Sequence, residues 1–239
     1  MITRPVEQSL FPDHRPDRPV GPLPASVQTG TNADLIATIA PFYLTGSVLD
    51  VTFGEGGWWR RFQPVDFTAH DLYKLDGVDF RALPEGDSSV DTVCFDPPYV
   101  ASGGESSAKL GPGFQDVYGI GHAKLVAITP KSTNRVDRVE ALILAGLVEC
   151  LRVARHWVLV KCMEFAQGHA ASSAYARAKL SMFHDVPHLV TCTARDAGWV
   201  KHDQIVHHTG SGPGGHNIFV AKRARRHHSY LIVFTKSPT

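Results

Sequence analysis

Short apolar runs recur along the chain, and several stop at a carboxylate followed by glycine or proline. Thr31, with Asp34 three positions on, caps a short helix that carries Leu35, Ile36 and Ile39 on one side and Pro41 near its end. Val48–Phe53 reads as a central strand, Gly54-Glu55-Gly56-Gly57 as a glycine loop, and Trp58–Phe62 as the start of a short helix. Val65–Leu72 alternates as a second strand, and Val90–Phe95 is a third, stopped by Pro97 and Pro98, which lack the amide a ladder needs. Asn134 caps a long helix with Val136, Val139, Ile143, Leu147 and Leu151 on its apolar side. Strand Trp157–Met163, helices Ser172–Phe183 and Val186–Ala197, and strands Trp199–His208 and Tyr230–Phe234 follow. Strands alternating with helices predict an α/β sheet that is mostly parallel, and the missing helix between the last two strands predicts an antiparallel final pair.

Four acids fall at the expected strand ends or just beyond: Asp50, Asp71, Asp79 and Asp96. The carboxyl edge of an open α/β sheet is where ligands bind. Asp71 lies 21 positions after Asp50, the spacing at which an acid holds a ribose diol, with Asp66 the competing assignment. The glycine loop lacks the third glycine of a dinucleotide fingerprint, which disfavours a pyrophosphate cofactor. At the end of the third strand the Asp96 side chain and the Pro97 carbonyl form a rigid pair of hydrogen-bond acceptors, with the Tyr99 ring beyond as a stacking platform. Two acceptors suit an amino group.

Asp96-Pro97-Pro98-Tyr99 resembles the motif of S-adenosylmethionine-dependent methyltransferases that modify exocyclic amino groups of DNA bases. Asp50, Gly54 and Gly56 resemble the first motif of that family, and Asp79-x-Arg81-x-Leu83-Pro84 its third motif region. The resemblance implies a Rossmann-like class I methyltransferase fold, with a mostly parallel seven-stranded sheet and an antiparallel final strand. It implies Asp96, Pro97, Pro98 and Tyr99 as the catalytic set, and Asp50, Thr52, Gly54, Gly56, Asp71 and Asp79 around S-adenosylmethionine. An Asp at the head of the catalytic motif favours adenine N6 over cytosine N4. Arg225-Arg226-His227-His228-Ser229-Tyr230 looks like the family's late motif, with Ser229 where an acid is often found.

Composition adds bounds. A chain of 239 residues, 43% hydrophobic, fits one domain with a sizeable core, and a net charge of +1 neither demands nor excludes nucleic acid. A local basic patch exists: from residue 199 onward six Lys or Arg face one acid. Lys222, Arg223, Arg225, Arg226 and His228 are therefore the candidate nucleic-acid contacts, with DNA the expected partner and RNA the alternative. Six of the 16 prolines fall in the first 24 residues, so 1–30 reads as an extended or disordered arm before a methyltransferase domain over 31–239. Loops near 100–132 and 209–228 are placed to meet a substrate. Only 46 positions separate Asp50 from Asp96, so no target-recognition domain fits between them. Four cysteines without paired short spacing argue against zinc or disulfides, and the six histidines between 202 and 228 match no zinc pattern, so no metal is expected. With no apolar run of membrane length the chain is expected in a reducing cytoplasm. Rival readings are guanine-N2 methylation of RNA, amide methylation of a protein glutamine, and an inactive methyltransferase-fold binding module. The oligomeric state is open.

Overall fold

In the computed structural model, residues 23–72, 74–97, 135–166, 183–208 and 228–236 are described. The order along the chain is β1 (Val27–Thr29), α1 (Asn32–Tyr43), β2 (Val48–Asp50), β3 (Phe67–Ala69), β4 (Val90–Phe95), α2 (Arg135–Val153), β5 (Ala154–Cys162), β6 (Phe165–Ala166), β7 (Phe183–His184), α3 (Val186–Asp196), β8 (Trp199–His208) and β9 (His228–Lys236). One sheet has the order β3-β2-β4-β5-β9-β8-β1, and β6 with β7 forms a separate two-stranded ladder. Pairing is parallel from β3 through β5 and between β8 and β1, while β9 runs antiparallel to both its neighbours. The expected α/β architecture, seven strands with an antiparallel final one, is present.

Strand alternation decides which residues share a face. Leu49, Val51, Val93, Phe95, Val158, Val160, Ile232 and Phe234 pack on one side with Val139, Ile143, Leu147 and Leu151 of α2 and Val186, Val190 and Ala194 of α3. Val48, Cys94, Leu159, Ile205, Leu231 and Val233 point to the other, under Leu35, Ile36, Ile39 and Tyr43 of α1 and the rings of Trp58 and Trp59. Burying each such Leu, Ile or Val contributes roughly 1.5–3 kcal/mol. Two positions beyond Val48, Cys94 and Leu159 stand Asp50, Asp96 and Lys161, so all three belong to the α1 side. Helix α1 begins as read: Thr31 Oγ1 accepts the Asp34 N–H at 3.2 Å and Asp34 Oδ2 accepts the Thr31 N–H at 2.8 Å.

Four readings change. Residues 27–29 lie in the arm expected to be extended or disordered and without a core of its own, yet as β1 they pair with Val206–His208 and supply an edge of the sheet. Order therefore begins before Thr31. Asp79 sits at no strand end: its Oδ1 accepts the Arg81 N–H at 2.9 Å, turning the chain on itself, and Pro84 removes an amide shortly after. Trp58–Phe62 is not a helix but turns and bends, held by Gly56 N–H to Phe53 O at 2.9 Å and Trp59 N–H to Gly56 O at 3.1 Å. Phe183, expected to end a helix, belongs to β7, and the rest of that helix, at 172–182, lies outside the described residues. Among the described residues no helix is long and apolar enough to cross a membrane.

Gly146 sets how closely α2 lies on β4. A Cβ there would come within 2.5 Å of Phe80 Cδ2 and 2.6 Å of Phe95 Cζ, whose rings pack with centroids 5.2 Å apart. Gly146→Ala gains about 1 kcal/mol of helix propensity but overpacks this contact at a cost of roughly 1–3 kcal/mol. Urea unfolding is expected to show net destabilisation.

Candidate active site at the carboxyl ends of β2 and β4

Parallel pairing of Asp50 with Cys94 brings the ends of β2 and β4 side by side, so Asp96 emerges next to Asp50. The crossing is tied by the Val51 N–H to Cys94 O at 3.1 Å and by the Asp96 N–H to Thr52 Oγ1 at 2.8 Å. Gly54 (φ 56°) and Gly56 (φ 66°) then take the left-handed conformation, and a Cβ on Gly56 would meet Phe53 Cζ at 2.9 Å. The loop they shape returns two adjacent indoles to the two acids. Trp58 Nε1–H donates to Asp96 Oδ2 at 3.0 Å, and Trp59 Nε1–H donates to Asp50 Oδ2 at 2.6 Å.

The two carboxylates are not equivalent. Asp50 is 5% exposed, and its Oδ1 also accepts the Thr52 N–H at 2.8 Å, so both oxygens are engaged. Burial pushes its pKa up to about 7; the bonds from Trp59 and Thr52 oppose that, and the charge of Asp96 adds to it. Asp96 Oδ1 is buried and has no hydrogen-bond partner among the described residues. Burial raises the Asp96 pKa too, against the opposing influence of the Lys161 ammonium and the Trp58 bond. Lys161, on β5 and 3% exposed, comes alongside because Phe95 pairs with Val160. Sequence reading passes over Lys161 and the indoles; the signals are one lysine inside Val158-Leu159-Val160-Lys161-Cys162 and a Trp pair directly after the glycine loop.

The other expected site residues are placed as follows. Asp71 accepts the Gly54 N–H on Oδ2 and the Lys74 N–H on Oδ1, each at 2.8 Å, and so braces the glycine loop. The competing Asp66 is exposed, its carbonyl accepting the Val48 N–H at 2.9 Å. Asp79 forms an ion pair with Arg81. His228 opens β9, with Nε2 2.9 Å from Tyr230 Oη and 3.6 Å from Glu164 Oε1. Tyr230 and Glu164 help line a cavity of about 320 Å³ with Asp185, His188, Lys201 and Gln204. Pro98, Tyr99, Lys222, Arg223, Arg225 and Arg226, and the loops 100–132 and 209–227, lie outside the described residues.

Beside the loop, buried His70 is held by two carboxylates, Nδ1 2.5 Å from Asp76 Oδ2 and Nε2 2.7 Å from Glu85 Oε1. Burial disfavours its charge, but the bonds to Glu85 and Asp76 outweigh this and raise its pKa above the ordinary 6.5. A pKa higher in the folded than in the unfolded state stabilises fully below the unfolded value and is lost as pH rises through the folded one. Imidazole NMR should place the His70 midpoint above 6.5, and His70→Gln should flatten the fall in unfolding stability across that window.

No protein-family model matches the chain, and no curated protein matches it in sequence. Solved structures resemble it weakly. One is a Thermus thermophilus protein whose name proposes a DNA modification methylase, complexed with S-adenosyl-L-methionine (14% identity, TM-score 0.34, 81% of this chain and 57% of that one). Another is an S-adenosylmethionine-dependent methyltransferase from Aquifex aeolicus (10% identity, TM-score 0.40, 87% and 90%). A third is a Galdieria sulphuraria protein whose name proposes a sarcosine dimethylglycine methyltransferase (15% identity, TM-score 0.41, 86% and 84%). The chain thus spans little more than half of the Thermus structure it matches.

Proposed function

We propose that the chain transfers a methyl group from S-adenosylmethionine to the exocyclic amino group of a DNA base, adenine N6 first among them. The observation that supports this most is Asp96 Oδ1, a buried acceptor without a partner among the described residues at the carboxyl end of β4, next to a glycine loop shaped by two left-handed residues. An unpaired buried carboxylate oxygen is costly, and a donor such as an amino hydrogen would satisfy it.

The residues present fit the cofactor's chemistry. The turn at Gly54–Gly56 takes the left-handed backbone that glycine permits, and Asp50, Thr52 and Asp71 supply oxygens around it. Asp50 and Asp71 would act largely through the loop they brace, because their oxygens already hold Trp59, Thr52, Gly54 and Lys74. When bound, S-adenosylmethionine supplies an electrophilic methyl on a sulfonium.

The chain's part is to make a poor nucleophile competent. An amine conjugated to a base ring has a delocalised lone pair. Acceptors on its hydrogens, Asp96 Oδ1 and the Pro97 carbonyl, draw it toward tetrahedral geometry and aim that pair outward. Asp96, its pKa raised, can take the proton the amine sheds. Tyr99 would stack on a base turned out of its helix, and Lys222, Arg223, Arg225, Arg226 and His228 would meet the phosphates. Attack on a ring carbon is disfavoured: no cysteine follows a proline, and burial drives the thiols of Cys94 and Cys150 well above their ordinary pKa.

Purified protein with methyl-labelled S-adenosylmethionine and separate DNA, RNA and protein substrates tests the reading. Label is expected in DNA. Label in RNA guanine or in protein glutamine would move the function to those classes, and cofactor binding without label anywhere would leave a binding module. Asp96→Asn should lower transfer at least about 100-fold, the scale of losing one preorganised hydrogen-bonding group, while calorimetry shows little change in affinity for S-adenosylhomocysteine.

A further inference from the structure

An acceptor for an amine needs a direction as well as a charge, and a carboxylate turns readily about its last torsion. In this structure Asp96 is held at its main-chain N–H by Thr52 Oγ1 and at Oδ2 by the Trp58 indole. Trp58 is 6% exposed, with its ring in the core under α1. Its backbone follows directly from the glycine loop, which the Gly54 N–H fixes to Asp71. The neighbouring indole, Trp59, is spent on Asp50, so the two donors divide between the two acids.

We propose that Trp58 is a positioning residue, locking the Asp96 carboxylate through Oδ2 so that Oδ1 is the oxygen presented to the substrate. This deepens the amino-acceptor reading and rests on it only for the identity of the group that meets Oδ1. Nothing else among the described residues bonds to Asp96 Oδ2. Among the described residues, the charged and titratable groups that face Asp96 are Asp50 from β2 and Lys161 and Cys162 from β5. Burial opposes the ionised acid; Lys161 and the indole favour it. Removing the indole bond therefore shifts the Asp96 midpoint upward.

The test uses the full chain without ligand, labelled with ¹³C at aspartate carboxyls and ¹⁵N at tryptophan. In the native protein the Trp58 indole resonance should titrate together with the Asp96 carboxyl, and that of Trp59 with Asp50. In Trp58→Phe, which keeps an aromatic ring in the core, the Asp96 midpoint should rise by about one pH unit, the scale of a hydrogen bond to a charged group. The Asp50 midpoint should stay in place. A Trp58 resonance indifferent to Asp96 ionisation overturns the proposal in the native protein, even if the variant fails to fold. An unchanged Asp96 midpoint in a folded variant overturns it as well. Where methyl transfer is measurable, Trp58→Phe lowers kcat with little change in cofactor affinity. If no polymer is methylated, the amino-acceptor reading falls, while the resonances still decide the lock.

Discussion

A buried carboxylate with a half-buried one beside it at the end of a parallel sheet is expensive, and this edge of the molecule is built around that cost. Asp50 and Asp96 lose solvent and repel one another. Each is offset by one indole N–H, Asp50 also by the Thr52 amide, and Asp96 also by Lys161. Burial first, and the Asp96 charge after it, push the Asp50 pKa up to about 7, so Asp50 is the acid of the pair whose charge is most disfavoured. Of the pair, Asp96 is the one left with an oxygen to offer.

The same constraint explains the glycine loop. To return two indoles to two adjacent strand ends within a few residues, the chain must reverse tightly, which Gly54 and Gly56 permit in the left-handed region. Asp71 holds the start of that reversal, and Arg61, 2.5 Å from Asp34, ties its far end to the first turn of α1. The loop and the two acids are thus joined by hydrogen bonds at the edge of an apolar sheet.

Much of this was legible in the residues. The capping box at Thr31, the strand from Val90 to Phe95, the helix and strand on either side of Gly198, and the antiparallel final strand follow from local pattern, and so does Asp96 at a carboxyl edge. Strand β1 was hidden because three residues at the end of a proline-rich arm carry no periodicity; their pairing with Val206–His208 is a long-range contact. Asp79 was misread as a strand end because its spacing suited the sequence, whereas its short side chain bonds its own turn. The indoles of Trp58 and Trp59 reach acids 38 and 9 positions away, and two aromatics after a glycine loop read equally well as a helix start. Lys161 looked like scaffold because six of the seven residues from Trp157 to Met163 are hydrophobic.

The central claim is that the Asp96 carboxylate serves methylation of an exocyclic amine. DNA from methylation-deficient cells expressing either the native chain or Asp96→Asn, digested to nucleosides and resolved by mass spectrometry, tests it most directly. The account predicts N6-methyladenine in the first DNA and none in the second. Equal modification in both, or a methyl found on a ring carbon, would contradict it.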